Sequence, residues 1–154
     1  MSVEPVGTLD TVRACVFVLG SERFAVDVAA AREVVVLEDL TVVPRGPAHL
    51  IGVTNLRGYI LPILDVRPLL GLPARPVAAG TRVLVVEVGS VQAGIAIDGI
   101  RGLATFDEVL PLDDAARRAY GDFGLGRLRY EDGKATLLAP ARILAAITPA
   151  GKGE

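Results

Sequence analysis

Side chains able to do chemistry are few in this chain of 154 residues, and they stand apart from one another. The single histidine, His49, sits beside apolar Leu50 and Ile51. It has no second histidine and no nearby cysteine, so metal ligation and a Cys/His nucleophile are poor readings, and a loop or half-buried role is expected. The three serines are Ser2, Ser21 and Ser90. Two fall in turns, and none lies in a Gly-x-Ser-x-Gly elbow. Gly121, Gly124 and Gly126 follow no strand and precede no Gly-Lys-Ser/Thr, so they are not a phosphate cradle. Asp65 and Asp98 each end an apolar strand. Either could act as acid or base, although turn and ion-pair roles are commoner. The lone cysteine, Cys15, lies inside an apolar run and reads as a buried small hydrophobe.

Arg57 is the unusual residue. It stands in Asn55-Leu56-Arg57-Gly58, a polar turn between the apolar runs from Gly52 and through Pro62 to Asp65. That order reads as strand, turn, strand, and Gly58 can take the positive φ such a turn needs. A guanidinium is always charged and carries five donors in a rigid fork. It can fasten the turn to a carbonyl or carboxylate of its own domain, or present the fork to a partner. The inventory as a whole predicts no catalytic residues, no metal and no cofactor, and so an interaction protein. The rival class is a small-molecule binder or enzyme on a barrel, with Arg57 and Asp65 lining its pocket.

The elements that must position these residues follow from composition and pattern. The chain is 51% hydrophobic with a mean hydropathy of +0.49, enough for a sizeable core with apolar surface left for a partner. A net charge of -2 and 5% aromatics, with no tryptophan, give no footprint for nucleic acid or for an anionic membrane. No apolar run is long enough to span a bilayer, and the N-terminus has no secretory pattern, so a reducing cytoplasm is expected.

Residues 1–12 read as a tail, 13–148 as one domain and 149–154 as a second tail. Ala14 to Leu19 and Phe24 to Val28 predict a hairpin across Gly20-Ser21-Glu22-Arg23. Ala29 to Glu33, capped by Asp27, predicts a helical turn running into an extended Val34-Val35-Val36. Leu40 to Val43 is extended, and Pro44 to Pro47 is a loop. Asp65 to Gly71 predicts a short helix stopped at its glycine, and Leu72 to Gly80 a crossover. Arg82 to Val88 and Val91 to Ile97 predict a hairpin over Gly89-Ser90. Asp98-Gly99 is either a turn or a bulge in a continuing strand. Asp113 to Tyr120 predicts a short helix, Gly121 to Gly126 a flexible loop, Arg127 to Leu138 a last hairpin and Pro140 to Ile147 a closing helix. Short strands punctuated by glycine turns predict an all-β barrel or sandwich.

The ordered segments Phe17-Val18-Leu19-Gly20, Phe24 to Val28, Arg32-Glu33-Val34, Gly52 to Gly58, Leu61 to Arg67 and Gly94 to Ile100 resemble the CheW-like family. These are the adaptors that couple chemoreceptors to the histidine kinase CheA in bacterial chemosensory arrays. The resemblance runs from about Ala14 to Ile147. It implies two packed five-stranded SH3-like barrels, intertwined, roughly 24–80 and 81–139 with shared termini, plus a short helix in the N-terminal half and a C-terminal helix. It implies no catalysis and no cofactor. A groove between the barrels would take the cytoplasmic hairpin tip of a receptor, with Val28, Ala31, Glu33, Asn55, Arg57 and Leu103 on its positions. A barrel end would take the CheA regulatory domain. Gly52, Gly58, Pro62, Asp65, Asp98 and Gly99 would be structural. Ala31, His49 and Ala139 depart from the family pattern, and Phe106 to Gly126 lacks its Pro-x-Pro. An adaptor that binds receptor but has lost the kinase is the alternative within the class.

Overall fold

The computed structural model describes residues 11–43, 49–130 and 132–147. The expected tails and the Pro44 to Pro47 loop lie largely or wholly outside that range. The strands are β1 (Val12–Leu19), β2 (Glu22–Asp27), β3 (Ala31–Val36), β4 (Thr41–Val42), β5 (Leu50–Leu56), β6 (Tyr59–Leu64), β7 (Arg82–Val88), β8 (Val91–Ile97), β9 (Gly99–Phe106), β10 (Gly124–Tyr130) and β11 (Gly133–Leu138). A 3-10 turn covers Arg67–Leu70, and the helices are α1 (Asp114–Tyr120) and α2 (Pro140–Ile147). The class is all-β.

Two sheets form, ordered β10-β11-β2-β1-β9 and β3-β7-β8-β6-β5-β4. The second has six strands where five are expected, the extra one being two-residue β4 on its edge. The sheets exchange chain. β2 joins β9–β11 by a parallel pairing of Thr136 and Leu137 with Phe24 and Ala25. β7 and β8 join β3–β6, with Ile63 and Leu64 parallel to Gly94 and Ile95.

Unbroken apolar runs are strands buried on both faces. Ala14 and Val16 of β1 fill a core inside the first sheet with Phe106, Leu128 and Leu137. Cys15, Phe17 and Leu19 face the other way, into a larger core shared between the sheets. β7 repeats the device: Val83 and Val85 pack with Leu37, Leu61 and Ile63 inside the second sheet, and Leu84 and Val86 enter the shared core. Both helices close that shared core, through Ala116 and Tyr120 of α1 and Ile143 and Ile147 of α2.

Three local expectations need correction and one open alternative is settled. β1 begins at Val12, inside the expected tail. The helical turn at Ala29 to Glu33 is instead a tight turn followed by a strand. Asp27 accepts from the Ala29 amide at 2.8 Å, and Ala31–Val36 then pairs antiparallel with β7, a tertiary pairing that overrides local helix propensity. Gly124 and Gly126 are in β10, not in a loop. A Cβ on Gly126 would strike the Val109 side chain, so glycine here permits close approach of the 107–112 segment. Asp98-Gly99 resolves as the continuing strand: β9 follows directly, with a register shift against β1 between Val16 and Phe17.

Candidate functional site

The Asn55 to Gly58 turn is a two-residue hairpin turn, closed by a Leu56–Tyr59 register pair. Arg57 at φ 49° and Gly58 at φ 93° are both left-handed, the pattern of a type I′ turn that follows the twist of its strands. The Asn55 carboxamide oxygen accepts from the Gly58 amide at 3.0 Å and sets the turn. Arg57 carries a bidentate ion pair with Glu33 of β3, formed across the same sheet. Its side chain stays 60% exposed. The hydrogen bond and charge of Glu33 raise the guanidinium pKa above its ordinary value.

Glu33 borders an open groove of about 300 Å³. Its walls are Val28, Ala31, Val34, Leu84, Ile100 and Leu103, with Cys15 at its floor. Val28, Ile100 and Leu103 belong to the turn and strand of the first sheet, and Ala31, Val34 and Leu84 to the second, so the groove runs between the sheets. Leu103 is 59% exposed and Ile100 38%, which leaves apolar surface open at the mouth. Burial raises the Cys15 thiol above its ordinary pKa, so it contributes surface rather than a thiolate.

Of the six expected groove residues, four line this cleft: Val28, Ala31, Glu33 and Leu103. Arg57 reaches it through Glu33. Asn55 does not; it lies with Arg57 along a separate cleft bordered by Val35 to Asp39 and Thr54. Its role is the turn. Arg57 and Asp65 are engaged separately, Arg57 by Glu33 and Asp65 by Arg67. Asp65 is 3% exposed and pairs with Arg67 at 2.9 Å.

That second arginine, which closes the Leu61 to Arg67 segment, is the centre of a buried network. Arg67 is 2% exposed. It donates to Asp65 at 2.9 Å and to Asp98 at 2.8 Å. Asp98 also accepts from the Gly20 amide at 2.5 Å, in the β1–β2 turn of the other sheet. Burial alone would raise the Asp98 carboxyl. The Arg67 and Gly20 hydrogen bonds, with the charges of Arg67 and Arg75, outweigh it and hold the group below its ordinary value. The signal in the sequence was the Asp-x-Arg spacing after an apolar strand, which a 3-10 turn folds back on itself.

Gly52 and Gly58 serve the same hairpin in different ways. A Cβ on Gly52 would collide with the Thr41 carbonyl, so its absence lets β4 close on β5. Pro62 lies in β6 opposite Val53, and Gly99 opens β9. His49 is half-buried with φ 77°, and its carbonyl accepts from the Asp65 amide at 2.9 Å. Among the described residues no cluster of three or more His, Cys, Asp or Glu could hold a metal ion, and no helix is long and apolar enough to cross a membrane.

Paired sheets with an open apolar cleft between them are the frame of a protein-binding module. The CheW-like domain model matches residues 13–147. The chain is 32% identical over 117 residues to the chemotaxis protein CheW of Rhizobium meliloti, covering 75% of this chain and 76% of the relative. It is 30% identical over 117 residues to that of Klebsiella aerogenes, covering 73% and 70%. The crystal structure of the scaffolding protein TtCheW from Thermoanaerobacter tengcongensis superposes with a TM-score of 0.73 at 25% identity, covering 83% of this chain and 88% of that one. The chain belongs to the CheW-like domain family, and its two sheets are the SH3-like units of that fold.

Proposed function

We propose that this chain is a non-catalytic adaptor that couples chemoreceptors to a CheA-type histidine kinase in a chemosensory array, and that the inter-sheet groove is its receptor site. The observation that carries this is the cleft itself, apolar on both walls and open at Leu103 and Ile100, in a chain of this family. A receptor's cytoplasmic tip is an antiparallel helical hairpin, and an amphipathic helix lays its apolar face into such a groove. Val28, Ala31, Val34, Ile100 and Leu103 supply the apolar contact. Arg57 and Glu33 form a polar rim beside it, where an exposed pair adds specificity more than affinity.

The kinase regulatory domain, itself CheW-like, docks elsewhere, on a barrel end. The adaptor works in the cytoplasm, recruited to the receptor array through its partners, with no insertion of its own into the membrane and no binding of nucleic acid. The decisive experiment is reconstitution from three purified components. A receptor signalling fragment and a kinase regulatory domain are each captured by the immobilised adaptor. Capture of both supports coupling; capture of the receptor alone supports an accessory that has lost the kinase; capture of neither overturns the reading.

A further inference from the structure

The groove does not stop at its apolar half. Along the β3–β7 ladder, Val34 pairs with Leu84 and, two residues on and on the same face, Val36 pairs with Arg82. The first pair lines the apolar cleft. The second lines an adjoining recess of about 450 Å³, whose other walls include Arg75, Thr81 and Asp98. Arg82 pairs in turn with Ile97 of β8, which leads into β9 and so to Ile100 and Leu103. Two neighbouring recesses thus share β3, β7 and the β8–β9 corner, one apolar and one cationic.

The cationic recess has donors to spare. Arg67 at its back is fully engaged by Asp65 and Asp98. Arg75 is 57% exposed and touches only Asp98, at 3.3 Å, while Asp98 already receives Arg67 and the Gly20 amide. Arg82 is exposed and makes no ion pair among the described residues. The Thr81 hydroxyl accepts from the Ala78 amide at 3.1 Å, which leaves its proton free to donate. Two exposed arginines, Arg75 and Arg82, and a hydroxyl therefore stand beside one saturated carboxylate, Asp98.

We infer that the second pair marks a carboxylate subsite, in which Arg82 and Arg75 receive an Asp or Glu side chain of the partner helix lying in the apolar cleft. Two residues of an extended strand span roughly 7 Å, and a helix covers that in about four to five residues. The acidic residue thus lies about one turn from the apolar anchor over Val34 and Leu84, on the same helix face. This rests on the groove being the receptor site. It adds a charge requirement that fixes which way the helix runs.

The test titrates a fluorescently labelled receptor hairpin fragment into full-length wild type, Arg82→Glu, Arg82→Lys, Arg75→Gln and Leu103→Arg. It is repeated at about 50 mM and about 300 mM salt, with melting temperatures as the check on folding. The expected result is a loss of about fivefold or more in affinity for Arg82→Glu, a smaller loss for Arg75→Gln, a weakened salt dependence in both, and retention in Arg82→Lys. If Leu103→Arg abolishes binding while Arg82→Glu and Arg75→Gln match wild type at both salt concentrations, the carboxylate subsite is wrong and the groove stands. If Leu103→Arg also binds like wild type, the groove reading itself falls.

Discussion

Two arginine–carboxylate sites in this molecule use the same chemistry in opposite settings. Arg67 lies between Asp65 and Asp98 with a side chain 2% exposed. Arg57 pairs with Glu33 at 60% exposure. The buried site bridges the sheets, because Asp98 also holds the Gly20 amide of the opposite hairpin. The exposed site lies within one sheet and faces water. Burial decides what each can do. Removing one partner from a buried pair strands an uncompensated charge, whereas an exposed pair is screened and can exchange partners at little cost. The first site therefore ties the two sheets together, and the second stays open to water.

The largest effect expected from this contrast is at Arg67. Arg67→Met preserves bulk and leaves two carboxylates without their cation, and should cost about 3–5 kcal/mol in urea unfolding. A loss below about 1 kcal/mol would make the two arginines equivalent and break the contrast. Asp98→Asn keeps the shape and removes the charge, with an expected cost of about 1–3 kcal/mol.

Acid sharpens the same point. The folded Asp98 carboxyl titrates below its ordinary value near 3.8. Its contribution is therefore present above that value and lost as pH falls through the lower, folded one. Unfolding followed from pH 6 down to pH 2 should show a smaller loss of stability in Asp98→Asn than in wild type. Parallel curves would mean that Asp98 is not the group responsible. Arg57→Ala should have the smallest effect on stability, leaving the melting temperature unchanged, while it weakens capture of a receptor fragment. Loss of the fold in that variant would make Arg57 a clasp for its turn and nothing more.

Much of this was legible in the sequence where structure is local. The hairpins β1–β2, β5–β6 and β7–β8 follow from apolar runs broken by short turns, and Gly58, Gly71 and Gly89 adopt the positive φ their positions demand. What was not legible depends on distant partners. Ala29 to Glu33 carries helix formers, but β7, some fifty residues on, pairs with Ala31–Val36 and draws it into a strand. The parallel contacts of β2 with β11 and of β6 with β8, through which the sheets exchange chain, leave no periodic trace. Gly124 and Gly126 read as loop because composition cannot report that another segment must pass close by. At the groove, Val28, Ala31, Glu33 and Leu103 line one cleft. Val34 and Ile100 were missed because apolar residues in strands look like core until their exposure is known.

The most direct test of the central claim is the affinity of a receptor cytoplasmic hairpin fragment for wild type and for Leu103→Arg, measured side by side by calorimetry. Leu103 is 59% exposed and lies in the wall of the groove, so the substitution should leave folding intact. It should reduce binding at least tenfold by placing a charge on the apolar wall. Equal affinity for the two proteins, with both folded, would contradict the account.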